Sequence, residues 1–193
     1  MNNKKVIMGI DPGTNNMGYG VLETEGSCMS CIVLGTIELS KLNSPYDKLK
    51  YIFERVSALI EEYNPDEVAL ESPFFGENVQ SMLKLGRAQG VAMAAALHHD
   101  KPVFEYAPRR IKQAITGSGG AAKEQVALML KTMLGISYET KKLDATDGLA
   151  VAVCHHFISS SPVQQVVTKR KQNKSSSWES FVANNPDKVK KFN

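Results

Sequence analysis

The stretch Val6-Ile7-Met8-Gly9-Ile10-Asp11-Pro12-Gly13-Thr14 decides how the chain is read. An almost wholly apolar run ends in one carboxylate, and a Pro-Gly turn follows at once. Apolar residues at successive positions mark a strand covered on both faces, so residues 5–11 are expected at the centre of a sheet. A charge delivered at the end of such a strand is costly unless something compensates it. A metal ion, a phosphate-bearing ligand or a hydrogen-bonding turn can do so. The question for the rest of the chain is what it supplies to Asp11.

Working outward, Met17 to Glu23 and residues 28–39 read as two further strands on short links, an antiparallel meander, with Gly13 and Gly18 permitting a tight turn. Ser44-Pro45 opens a helix whose apolar residues recur every three or four positions up to Tyr63, and Asn64-Pro65 ends it. Glu67 to Glu71 is a short fourth strand that again finishes in a carboxylate, before the loop Ser72-Pro73-Phe74-Phe75-Gly76. Residues 78–99 form a long helix in which Gly86 and Gly90 share a face, open to a close helix contact in the core or between subunits. Residues 101–106 make a fifth strand. Three helices complete the pattern: a short one from Pro108, Ala121 to Leu134, and Leu143 to Ile158. The sum is an α/β fold, a five-stranded mixed sheet flanked by helices. From Ser159 the pattern dissolves into Ser, Gln, Lys and Asn, so the chain divides into a globular domain, 1–158, and a flexible basic tail, 159–193, that holds the single Trp, Trp178.

Composition excludes several classes. No apolar run approaches the roughly 18–20 residues of a membrane span, and the start shows no signal-peptide pattern, so a cytoplasmic location is expected. Three cysteines do not make a disulfide framework, and Cys28 and Cys31 point to opposite faces of a strand, which suits packing rather than zinc. The net charge of +3 is a sum of opposites: residues 159–193 carry seven Lys/Arg against two Asp/Glu, which leaves −2 on residues 1–158.

The chemistry gathers around Asp11. If strands one and four are parallel neighbours, joined by the helix at 45–63, Asp11 and Glu71 end side by side where such sheets bind ligands. Asp144 and Asp147 open the last helix three apart, on one face. Taken alone, that pair reads as helix capping. Taken with the two strand-end acids, it makes four carboxylates suited to one or two hard divalent cations, Mg²⁺ or Mn²⁺, the arrangement that hydrolyses phosphodiesters. Residues 101–123 hold Lys101, Arg109, Arg110, Lys112 and Lys123 against Glu105 alone, a local +4 fitted to an anionic substrate such as DNA. Phe74, beside Glu71, is either loop packing or a stacking wedge for unpaired bases. The four histidines, in the pairs 98–99 and 155–156, read as surface or satisfied core residues.

Taken together and in order, Gly9-Ile10-Asp11-Pro12-Gly13-Thr14, Glu71 with Phe74 and Asn78, Leu83-Lys84-Leu85-Gly86, Val103-Phe104-Glu105-Tyr106 and Asp144-Ala145-Thr146-Asp147-Gly148-Leu149-Ala150 resemble the RuvC family of bacterial Holliday junction resolvases. The resemblance spans about residues 5–158. It implies a ribonuclease-H-like fold and a homodimer whose subunits nick opposing strands of a four-way junction in recombination and repair. Asp11, Glu71, Asp144 and Asp147 fall on the family's metal-binding acids, Lys112 and Lys123 on its active-site lysines, and Phe74 on its junction-facing aromatic. Partners would be the branch-migration proteins RuvA and RuvB. Glu77 and Gly148 depart from the family pattern. Two other readings compete. An actin- or sugar-kinase-like ATPase fragment shares the Asp-x-Gly-Thr turn but predicts a second phosphate loop, and a junction-binding module that does not cut predicts a missing acid.

Overall fold

The computed structural model describes residues 4–73, 78–136 and 143–160. The expectations for Phe74 and Glu77, for Trp178 and for the tail from 161 lie outside the described residues. The elements are β1 (Lys4–Asp11), β2 (Asn16–Glu25), β3 (Cys28–Glu38), α1 (Pro45–Tyr63), β4 (Glu67–Glu71), α2 (Val79–His98), β5 (Val103–Tyr106), α3 (Pro108–Thr116), α4 (Lys123–Leu134) and α5 (Leu143–Ser159). They belong to one compact unit, Met1–Ser159.

The sheet order is β3-β2-β1-β4-β5. β1, β2 and β3 form the antiparallel meander, and β4 and β5 run parallel to β1. The strand that opens the chain is therefore central. Its two parities feed two cores. Met8 and Ile10 join Ile52, Val56 and Ile60 of α1 and Ala88, Ala92 and Ala95 of α2 on one face. Ile7 joins Ile111 of α3, Val126 and Leu130 of α4, and Leu149, Val151 and Val153 of α5 on the other.

Local chemistry explains the boundaries. Ser44 caps α1, its Oγ accepting from the Tyr46 and Asp47 amides, and Asn64 ends the helix with φ 41°. α4 begins two residues later than its periodicity suggests. Ala121 is buried in the core, and the Ala122 amide donates to Gln125 Oε1, which sets the first turn there. The β2–β3 register shifts between Val21 and Leu22, which leaves Ile32 bulged and 44% exposed.

Two glycine readings change. Gly18 does not form a turn. It lies inside β2, and a Cβ there would sit 1.9 Å from the Asp144 carbonyl oxygen. Gly148 faces it from α5, where a Cβ would meet Tyr19 Cα at 2.4 Å. The helix that carries Asp144 and Asp147 thus rests backbone to backbone on the sheet. Gly86 and Gly90 have nothing within 4 Å of where a Cβ would stand, so the core-packing alternative for that pair falls away.

Candidate active site

Parallel pairing of β1 with β4 runs Ile7↔Glu67, Met8↔Val68, Gly9↔Ala69 and Ile10↔Leu70. One step further, strand alternation turns Asp11 and Glu71 away from the α1/α2 core and toward α5. The first two turns of α5 present Asp144 and Asp147 over the same end of the sheet. Asp11, Glu71 and Asp147 line a cavity of about 150 Å³ together with Lys112 of α3 and Lys123 at the start of α4. Lys123 Nζ lies 2.5 Å from Asp147 Oδ2 and 3.0 Å from Asp144 Oδ1. Asn16 Nδ2 donates to the other oxygen of Asp144 at 3.1 Å.

Electrostatics divides the acids. Burial, reinforced by the neighbouring Asp147 carboxylate, pushes Asp11 up to about 7. Burial and then the Asp11 charge push Glu71 up to about 8. Burial also raises Asp147, even against its bond to Lys123. Asp144 goes the other way, because the Lys123 hydrogen bond outweighs its slight burial. Burial opposes the charge on Lys123, but its bonds to Asp147 and Asp144 prevail and raise it. Carboxylates held at such cost are hard oxygen donors short of positive charge, and a divalent cation supplies both needs. Among the described residues, no three His, Cys, Asp or Glu side chains converge on a single ligand position. The Lys123 amine takes the counter-charge between the two helix acids.

The structure brings Asp11, Glu71, Asp147, Lys112 and Lys123 into one cavity and places Asp144 beside it, through Lys123. Arg109 and Arg110 are exposed outside its lining. Asn78 caps α2, its Oδ1 accepting from the Ser81 amide at 3.0 Å, so its carbonyl has a local role.

Three supports escaped the sequence reading. Asn16 steadies Asp144, and Lys48 of α1 donates to the Thr14 carbonyl at 2.9 Å, holding the turn after Asp11. Gln89, buried in a face otherwise made of small apolar residues, donates to Glu105 Oε1 at 2.6 Å and to the Glu71 carbonyl at 3.4 Å. A lone Gln at that spacing was a legible signal.

The fourth support is at the far end of the sheet face that carries the acids. His155 of α5 is 1% exposed. Its Nε2 lies 2.5 Å from Glu67 Oε2 and its Nδ1 lies 2.7 Å from the Tyr106 hydroxyl. A carboxylate only accepts, so Nε2 carries the proton and donates to Glu67. That bond, with Lys5 on the same carboxylate, holds Glu67 down at about 2. Eight helical residues from Asp147 to His155 span about 12 Å, and four strand residues from Glu71 to Glu67 span about 13 Å. α5 is thus tied to β4 and β5 through His155 at the end away from the acids, and to β2 through the Asn16–Asp144 bond at the other. This bears out the reading of His155 as a satisfied core residue.

The family model for "Crossover junction endodeoxyribonuclease RuvC" matches residues 7–155. Among curated proteins of that description, the chain is 55% identical to one from Cytophaga hutchinsonii, over 96% of this chain and 88% of the relative. It is also 55% identical to one from Porphyromonas gingivalis, over 97% and 98%. Among solved structures it is similar to Thermus thermophilus RuvC, at TM-score 0.72 and 33% identity over 80% of this chain and 95% of that one. The same protein in complex with Holliday junction substrate gives TM-score 0.75 and 32% identity over 81% and 95%. The yeast mitochondrial resolvase Ydc2, at TM-score 0.60 and 15% identity over 80% and 79%, shares the fold.

Proposed function

The chain belongs to the RuvC family of crossover junction endodeoxyribonucleases; it acts on four-way DNA junctions, and we propose how its own residues divide that work. Asp11, Glu71 and Asp147, with Asp144 at the rim, are the residues that would hold one or two Mg²⁺ ions, with Mn²⁺ as the substitute. Such ions, when bound, would supply activation of a water and stabilisation of the leaving oxygen of the phosphodiester. The observation that carries this is the pair of strand-end carboxylates raised to about 7 and about 8 in a cavity rimmed by lysines.

Lys123 sets the opposite end of the charge balance. Its amine moves from the two helix acids to the phosphate oxygens, where charge builds in the transition state. Lys112 lines the same cavity and draws the phosphate in. Arg109 and Arg110 of α3 lie outside the cavity and meet the backbone beyond it. Asn78 and Phe74 contact the strand at the crossover, and the basic tail adds sequence-independent affinity.

Two nicks need two sites, and α2 supports a homodimer. Val79, Leu83, Gly86, Gly90, Ala94 and Leu97 repeat at four- and three-residue spacing along it. Val79, Leu83 and Leu97 are 67%, 53% and 59% exposed, and the two glycines have open space above them. That is a seam for a second copy of the same helix. The dimer works in the cytoplasm with the branch-migration proteins RuvA and RuvB. No described helix is long and apolar enough to cross a membrane.

The test is incubation with a labelled four-way junction and a matched linear duplex, with Mg²⁺ and with chelator. Paired nicks in the junction alone, and only with Mg²⁺, are the expected result. Cutting of the duplex at the same rate, or cutting in chelator, would overturn the reading.

A further inference from the structure

A second concavity lies on the other face of the sheet, at the same edge. The cavity that holds the acids is roofed by α3, α4 and α5. This one, of about 300 Å³, is framed by α1, α2 and the turn Gly13-Thr14 that follows Asp11. Its cations are Lys48, Lys84 and Arg87, and no carboxylate lines it. Lys48 is engaged with the Thr14 carbonyl. Lys84 and Arg87 are exposed on neighbouring turns of α2 and make no ion pair among the described residues. Tyr46, in the first turn of α1, stands 81% exposed at its mouth. Three positive charges and no negative one around a concavity describe an anion site. An exposed ring beside them is a platform for a base.

We propose that this cavity binds a phosphodiester of the junction strand that is being cut, on the side of the acids away from α3. The argument is one of path. A strand whose scissile phosphate sits in the acid cavity, at Asp11 and Glu71, crosses the sheet edge toward the basic concavity on the opposite face. Lys112 and Lys123 meet it on one face, and Lys84 and Arg87 meet it on the other. The turn after Asp11 is common to both routes, so a phosphate held by Lys84 and Arg87 fixes the strand's direction over the acids. The proposal rests on the nuclease reading above and adds a strand-guiding site to it.

The experiment compares the full chain with Lys84→Gln/Arg87→Gln, and with the charge-matched control Lys50→Gln/Arg55→Gln on the exposed side of α1. Junction affinity is measured by anisotropy in Ca²⁺ between 50 and 200 mM salt. Two lost phosphate contacts flatten the log–log salt slope by about 1.8, so over that range the wild type loses about twelvefold more affinity than the double variant. The single variant Arg87→Gln flattens the slope by about half as much, which guards against a folding defect in the pair. Sedimentation of both shows that the oligomeric state is unchanged. The control keeps the wild-type slope. A steep wild-type slope that the double variant leaves unaltered refutes the proposal. So does protection of the wild type, but not the variant, from thermal unfolding by inorganic phosphate without any change in the DNA slope, because the site would then take a free anion. A wild type that binds no junction at all fails the nuclease reading itself, a different result from either.

Discussion

Replacing Asp11 by Asn should make the metal-free protein more stable while it abolishes cutting. Asp11 is half-buried beside Asp147 and Glu71, and its carboxyl is raised from 3.8 to about 7. Each pH unit of displacement corresponds to about 1.4 kcal/mol, so the ionised side chain costs the fold about 4 kcal/mol above that pKa. The amide of Asn keeps the shape but leaves a buried polar group, which takes back about 1–3 kcal/mol. A net gain of about 1–3 kcal/mol remains, equivalent to roughly 2–12 °C in Tm for a domain of this size. The sign with pH follows from the raised folded value. The wild type is unpenalised below about 4, where the group is protonated folded and unfolded alike, and the penalty grows as pH rises through about 7. The assay is urea unfolding of both proteins in chelator from pH 4.5 to 8.5. The gap should open with pH, then close or reverse when Mg²⁺ is added, because only the wild type keeps the full ligand set. A gap independent of pH, or a variant less stable than wild type at pH 8 in chelator, would refute the electrostatic account of the site.

Lys123→Gln should lower single-turnover cleavage by about 10²–10³-fold; a loss under tenfold would remove Lys123 from the transition state. His155→Phe leaves the Glu67 carboxylate without its imidazole and should cost about 1.5–3 kcal/mol in urea unfolding. It should also raise the Mg²⁺ concentration for half-maximal cutting, because α5 loses its far anchor; an unchanged Mg²⁺ midpoint would confine His155 to stability. Gly148→Ala improves helix propensity by about 1 kcal/mol, yet it should destabilise, since its Cβ would meet the Tyr19 backbone at 2.4 Å; a higher Tm would show that α5 can lift from β2 at little cost. Gly90→Leu fills the open seam on α2 and should shift the dimer toward monomer in sedimentation velocity, and a dimer of undiminished affinity would place the interface elsewhere.

Much of this protein is legible without coordinates, and the reason is local. Period-two and period-3.6 patterns carry the element order, and caps such as Ser44 and Asn64 carry the boundaries. An acid at the end of each of two apolar strands, and a pair opening an apolar helix, already pointed to Asp11, Glu71, Asp144 and Asp147. What stayed hidden is long-range. The partnership of Asn16 with Asp144 joins residues 128 apart, and that of Glu67 with His155 joins residues 88 apart. Neither leaves a periodic trace. By sequence Gly18 suits a turn, because glycine usually signals backbone freedom. Only the tertiary structure shows that its lack of a side chain admits the α5 backbone.

The opening run therefore determined by itself that β1 is buried on both faces and ends in a charge, because an unbroken apolar run and its interruption are properties of a single strand. Which face that charge meets was decided only when β4 paired in register and α5 came to rest on the glycines. A carboxylate's pKa depends on what lies within a few ångströms in space, and the chain brings those neighbours from residues 71, 123 and 147.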